Sequence, residues 1–115
     1  MWLVTYTILQ HTDKKIPHYG SDTFTWLRGA LSTIDRKYPY IIDEMHHHIG
    51  STHILHHLSY SIPHYYAKQA TNELKLVLGD KYNYDSTPFY IALYKTMNVC
   101  NYVEEVTGIQ YYKTK

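Results

Sequence analysis

Six of the nine histidines in this 115-residue chain fall between His46 and His57. Three of them, His53, His56 and His57, are spaced i, i+3 and i+4 within Thr52-His53-Ile54-Leu55-His56-His57. Residues at that spacing are neighbours on one face of a helix, so a helical segment here aims three imidazoles together. Neutral imidazole is the commonest protein metal ligand and suits several first-row transition metals. The spacing therefore predicts a metal-binding face with these three residues as ligands. It does not choose the metal. Tetrahedral zinc needs only three or four protein ligands, so a small non-enzymatic zinc module fits the hexad as an enzyme does. The run His46-His47-His48 is different, because adjacent helical residues point about 100° apart and at most one shares such a site comfortably. A solvated polar turn accounts for the others, and His18 and His64 stand alone.

Other chemistries lack their residues. There is no HExxH pair for a zincin-like protease, no Gly-x-Ser-x-Gly elbow and no glycine loop for a phosphate. Cys100 is the single cysteine, which excludes a disulfide framework and a cysteine-rich zinc finger. A formal charge of +1 with no basic stripe gives nucleic acid nothing to bind. Fourteen tyrosines against two phenylalanines fit either a wet–apolar boundary, such as a membrane interface, or a tyrosine-rich core.

The length allows one domain at most. Trp2 to Gln10 is apolar and reads as helix or strand, but falls short of the ~18 apolar residues of a membrane span. It is an ordinary buried helix or the last turns of a membrane helix. Asp22 or Thr23 is placed to cap a helix from Phe24 to about Ile34, ended by Arg36-Lys37 and Pro39. Ile41 to Leu58 carries the histidines, with Gly50 bending it or dividing it into two helices. Pro63 opens an amphipathic helix that Gly79 stops, and Pro88 opens another to about Met97. Val99 to Val103 and Ile109 to Lys113 read as two short strands of a hairpin around Thr107-Gly108. The fold class is mainly α with a short C-terminal β-hairpin.

Several segments, in order, resemble one family. Leu9-Gln10-His11-Thr12-Asp13 with Pro17-His18-Tyr19 comes first, then Trp26-Leu27-Arg28-Gly29-Ala30-Leu31 and Thr33-Ile34-Asp35-Arg36. His47, Thr52 to Leu58, Ile62-Pro63-His64-Tyr65, Ala70-Thr71, Leu78-Gly79 and Tyr82 continue the match, and Cys100 to Glu104 with Gly108 to Lys113 closes it. Together they resemble the C-terminal portion of membrane-bound fatty acid desaturases, most closely the delta-12 (omega-6) and omega-3 acyl-lipid enzymes of fungi and plants. The His-x-x-His-His hexad is similar to the third histidine box of that family.

The resemblance implies a non-haem di-iron centre, in an enzyme of the endoplasmic reticulum membrane with its metal site on the cytosolic side. It implies O2 and a fatty acyl lipid as substrates and cytochrome b5 as electron donor. His53, His56 and His57 would be iron ligands. His11 matches a histidine just after the last membrane helix and is a further candidate ligand, and His47 matches a recurrent family histidine. His46 and His48 match nothing diagnostic. Residues 1–10 would end the last membrane helix, 11–98 form a helical cap holding the third box, and 99–115 form a hairpin and tail. The tyrosines at 65, 66, 82 and 84 would then sit near the membrane face. Asp35, Asp43 and Glu44 are read as surface charges, with the orientation of an imidazole as their alternative role. Two earlier boxes and about four membrane helices of the family are absent from this sequence, so the chain alone is expected to be inactive.

Overall fold

The computed structural model of the protein describes residues 1–104 and 107–114, so positions 105, 106 and 115 of the expected tail lie outside it. Six helices dominate: α1 (Trp2–His11), α2 (Trp26–Leu31), α3 (Tyr40–Met45), α4 (His53–Leu58), α5 (His64–Leu78) and α6 (Phe89–Val99). Four two-residue strands tie the loops together: β1 (His18–Tyr19), β2 (Asp35–Arg36), β3 (Tyr84–Asp85) and β4 (Ile109–Gln110). The mainly α class with short strands is as expected. Among the described residues no helix is long and apolar enough to cross a membrane.

The punctuation residues act where chain chemistry puts them. Pro63 and Pro88 stand immediately before α5 and α6, where a fixed φ and a missing N–H cost nothing. Gly79 ends α5 at φ +52, in the left-handed region that a Cβ disfavours. α2 is shorter than the periodicity suggests, and its cap is Thr25, whose Oγ1 accepts from the Arg28 N–H at 3.2 Å, rather than Asp22 or Thr23. It stops at Leu31 because Thr33 and Ile34 are drawn away by α1. The Thr33 hydroxyl donates to the Gln10 carbonyl at 2.7 Å and the Ile34 N–H to the same oxygen at 3.0 Å.

The histidine region divides into α3 and α4, but Gly50 is not the bend. The left-handed residues are His47 (φ 54) and His48 (φ 62). Gly50 supplies space instead: a Cβ there would lie 2.3 Å from the Tyr38 ring and 2.7 Å from that of Tyr6. Its carbonyl accepts from the Gln10 side chain at 2.9 Å and from the Arg36 N–H at 3.0 Å. The short C-terminal hairpin is as expected, and its second arm makes a further pairing. Tyr102 and Lys113 form one antiparallel bridge, whereas Ile109–Gln110 pairs with His18–Tyr19.

Tyr6, Leu9, Tyr38 and Ala92 form the core, with Ile42, Ile49, Phe89 and Leu93 packed against it. Beside it lies Arg36, only 1% exposed. Its Nε donates to the Leu9 carbonyl at 2.8 Å, and its two terminal nitrogens pair with Asp13, at 2.8 Å, and with Asp85. A buried guanidinium is tolerated only when its donors are met. Here the partners come from α1, the loop after it and β3, so one side chain joins three segments. Arg36→Leu leaves Asp13, Asp85 and the Leu9 carbonyl without that partner, and should destabilise the fold by about 3–5 kcal/mol. The check is the urea midpoint at unchanged m-value; a shift equivalent to less than ~1 kcal/mol would refute this role.

Candidate metal centre

The metal-binding chemistry is assembled from two helix ends. The C-terminus of α1 presents His11, held by the bonds that Arg36, Thr33 and Ile34 make to the Leu9 and Gln10 carbonyls. Helix α4 presents His53 from its first position and His57 one turn further on. Its free N–H at Ile54 donates to Asp35 Oδ1 at 2.8 Å, so a distant carboxylate caps the helix where Thr52 makes no side-chain cap. The other Asp35 oxygen accepts from the Tyr82 hydroxyl. Asp35 is wholly buried, and burial pushes its carboxyl up to about 6 despite these donors.

Three Nε2 atoms meet at the junction. His53 to His11 is 3.1 Å, His57 to His11 is 3.2 Å and His57 to His53 is 3.2 Å. His53 Nδ1 lies 3.1 Å from the Ile49 carbonyl, which can only accept, so the ring proton is assigned there and Nε2 keeps its lone pair. Imidazole nitrogens gathered this closely repel unless a proton or an electron-poor centre stands among them. Nitrogens about 2.0–2.1 Å from one metal lie roughly 2.9 Å apart at octahedral angles and roughly 3.3 Å at tetrahedral ones. The observed spacings fall between these values, so the donor set fits a transition metal. Burial lowers the pKa of all three rings, pushing His53 down to about 3 with help from its neighbours His57 and His11. Neutral ligands are what a metal needs.

The other candidates go elsewhere. His56 does not join this cluster, because on an α-helix residues 53 and 57 are about 40° apart while 56 and 57 are about 100° apart. Instead His56 lines a separate cavity of about 260 Å³ with His46, His47 and His64. His46 is occupied structurally, with Nδ1 2.9 Å from the Ile42 carbonyl and 3.3 Å from the Tyr6 hydroxyl. His48 is likewise committed, 3.0 Å from Asp43 Oδ2. His18 lies edge-on to Tyr112.

The carboxylates need correction. Asp35 and Asp43 are buried rather than surface charges, and neither orients a ring of the cluster. Asp35 caps α4, while Asp43 holds His48 and the Ser51 hydroxyl. The Ile49 backbone carbonyl orients His53. Sequence spacing gave no sign that Asp35 and Arg36 position the site, since their partners are 19 to 49 residues away.

No protein-family model matches the chain. Among curated proteins it is similar to an omega-6 fatty acid desaturase, endoplasmic reticulum isozyme 1, of Glycine max, at 46% identity over 119 residues that include 99% of this chain. It is 44% identical to a delta(12)-fatty-acid desaturase of Arabidopsis thaliana and 43% identical to an oleoyl-12-hydroxylase of Ricinus communis, again over 99% of its length. The chain spans about 30% of the length of these relatives.

Two outcomes follow from the geometry. Ferrous iron or cobalt(II) should raise the melting temperature, and His53→Ala should weaken binding on the order of 100-fold or more. An isothermal titration in which His53→Ala and His48→Ala bind alike would overturn the assignment. Without metal, stability should fall as the pH drops below about 6.5. There the unfolded histidines take up protons that folded His11, His53 and His57 refuse, so the unfolded state binds more. Asp35 works in the opposite direction between about 6 and its ordinary 3.8, and offsets only part of the effect of three rings. Denaturant midpoints at about pH 7.5 and pH 5.5 measure it; a midpoint that rises on acidification contradicts it.

Proposed function

The chain belongs to the fatty acid desaturase family, and we propose that it supplies the C-terminal metal-binding portion of a membrane-bound acyl-lipid desaturase of the delta-12 (omega-6) or omega-3 type. The observation that carries this reading is the meeting of His11, from α1, with His53 and His57, from α4, within 3.2 Å of one another. It occurs in a chain related to desaturases over nearly its whole length.

When bound, a non-haem di-iron centre supplies the activation of O2. The overall reaction takes two hydrogens from adjacent methylenes of a fatty acyl chain and leaves a cis double bond. With two further electrons and two protons, O2 becomes two molecules of water; cytochrome b5 is the electron donor. The residues of this chain hold and orient. His11, His53 and His57 would hold one iron, with His53 turned by the Ile49 carbonyl. His56 and His47, which line a neighbouring cavity, would be available to the second. All are neutral donors, so the charge of the centre is left for oxygen and its reduction. The remaining ligands come from the two-thirds of the enzyme that this chain does not represent. In that enzyme, in the endoplasmic reticulum membrane, residues 1–10 end the last membrane helix and the metal site faces the cytosol.

The hydroxylase among the relatives is nearly as similar as the desaturases, so identity over this segment does not itself separate the two outcomes. A chimera provides the test. This chain, replacing the matching segment of the Glycine max enzyme in a host that lacks polyunsaturated lipids, should yield dienoic acyl chains. His53→Ala or His57→Ala should lower the yield at least ~100-fold, and the isolated chain with iron, O2 and a reductant should give none. If the chimera makes no diene while the chain binds one zinc stoichiometrically, a free-standing zinc module replaces this reading.

A further inference from the structure

Along α5, Lys68, Thr71, Asn72 and Lys75 follow the i, i+3, i+4, i+7 spacing of a single helix face. This polar stripe forms one wall of a cavity of about 260 Å³, with Lys37 and Asp43 among the residues that close it. Leu76 and Val77 of the same helix are 80% and 82% exposed, so α5 turns a polar face toward the protein and leaves apolar side chains outside. That reverses the usual amphipathic arrangement. We infer that the cavity is a binding site for a phosphate ester that carries a hydrogen-bond donor, a hydroxyl or an ammonium, beside its phosphate. It shares no residue with the three-imidazole cluster, and its chemistry does not depend on a metal.

Charge is the first support. Arg36 lines the cavity, but its donors are spent on the Leu9 carbonyl, Asp13 and Asp85. That leaves three ammoniums, of Lys37, Lys68 and Lys75, against the one carboxylate of Asp43. Lys68 is shared between Asp43, at 3.8 Å, and Glu44, at 3.7 Å. Among the described residues Lys37 and Lys75 make no ion pair. The Lys75 ammonium stands 5.2 Å from the Tyr82 ring centre and 5.7 Å from that of Tyr84, contacts that hold it in place without neutralising it. Lysine is a compact point charge with three donors, a common partner of phosphate.

The floor of the cavity is the second support. Thr71 is 2% exposed, and its hydroxyl has no hydrogen-bond partner. A helical threonine ordinarily returns its hydroxyl to the carbonyl four residues earlier, as Thr5 and Thr7 do in α1. Asp43 is 7% exposed; its Oδ2 lies 3.0 Å from His48 Nδ1 and accepts from the Ser51 hydroxyl at 2.9 Å, while Oδ1 has no partner. Buried polar atoms are rarely left in this state. The two have different needs: a carboxylate oxygen only accepts, whereas a hydroxyl can donate. A bare anion suits the lysines and Thr71 but offers nothing to Asp43. A bare cation suits Asp43 and is repelled by the lysines. A phosphate ester with a donor on a neighbouring carbon answers both, and the cavity is close to the ~300 Å³ at which small-molecule sites begin.

The test is calorimetric titration of the 115-residue chain with phosphoethanolamine, glycerol 3-phosphate and phosphocholine. The first two should bind at least ~10-fold more tightly than phosphocholine, whose methylated nitrogen cannot donate. Lys75→Met and Thr71→Val should each weaken phosphoethanolamine about 10-fold, the loss expected for one hydrogen bond to a charged group. Lys95→Met, on α6, should bind as wild type. If Thr71→Val lowers the melting temperature, Thr71→Ser, which keeps the hydroxyl, should restore both stability and binding. Vesicles separate the two sources of such an ester. Sedimentation of the chain with phosphatidylethanolamine vesicles but not with phosphatidylcholine ones, reversed by phosphoethanolamine, assigns the site to a lipid headgroup; binding of the soluble esters without sedimentation assigns it to a soluble ligand. Equal affinity for phosphocholine and phosphoethanolamine, a folded Lys75→Met that binds as wild type, or no binding of any of the three esters overturns the site.

Discussion

Everything at the candidate metal centre depends on the consecutive buried pair Asp35-Arg36. In a strand successive side chains point to opposite faces, so two adjacent residues can act on different neighbours. Arg36 reaches the C-terminus of α1 and bonds the Leu9 carbonyl, two residues before His11. Asp35 reaches the N-terminus of α4 and accepts from Ile54, the residue after His53. Each ligand-bearing helix end is therefore fixed within two residues of its ligand, and both fixings issue from one rigid dipeptide. Parallel pairing of β2 with β3 brings Asp85 to Arg36 and Tyr82 to Asp35, which completes the hydrogen bonding of both charges. Buried charges missing these partners would cost several kcal/mol, so the arrangement holds only as a whole.

How much of this was legible in the residues follows from the range of the interactions. The helices with periodic apolar stripes, proline starts and a glycine stop were readable, because those signals act within a few positions. The i, i+4 pair His53 and His57 was readable for the same reason. His56 diverges from the pair because about 100° separates it from His57 on the helix, a difference that i, i+3, i+4 spacing does not display. The burial of Asp35 and Arg36 left no local trace, since a charged dipeptide after a helix looks like a surface. The shortness of α2 is likewise set from outside, by the Gln10 carbonyl capturing Thr33 and Ile34. β4 pairs with β1, 91 positions earlier, where a nearby hairpin partner was the local expectation.

The carboxylates are kept off the ligands although they are close in the chain. An imidazole oriented by a carboxylate becomes a more electron-rich donor, whereas one oriented by a backbone carbonyl stays nearly neutral. With His53 turned by Ile49, and Asp35 spent on an amide and a phenol, the site offers nitrogen lone pairs without negative charge. Such a face binds a cation less tightly than a carboxylate set would, but leaves its charge available to whatever else enters the coordination sphere. It also explains why the pKa values of all three rings are lowered: no anion is present to stabilise an imidazolium, and desolvation is joined, for His53 and His57, by the neighbouring rings.

The excess of tyrosine over phenylalanine now has a structural account at the buried positions. Tyr6 contributes a ring to the core and a hydroxyl to His46, Tyr38 a ring beside it and a hydroxyl to Gln10, and Tyr82 a hydroxyl to Asp35. Each phenol thus serves a polar residue that in turn holds α1, the Gly50 turn or α4. Phenylalanine at position 82 would keep the ring and leave the buried Asp35 Oδ2 without its donor, the more costly half of any hydrogen bond. Of the tyrosines at 65, 66, 82 and 84, Tyr65, Tyr66 and Tyr84 are exposed, whereas Tyr82 is taken up by Asp35. Composition alone could not divide the two groups, because the same side chain serves both; what divides them is whether the hydroxyl finds water or a residue that needs it.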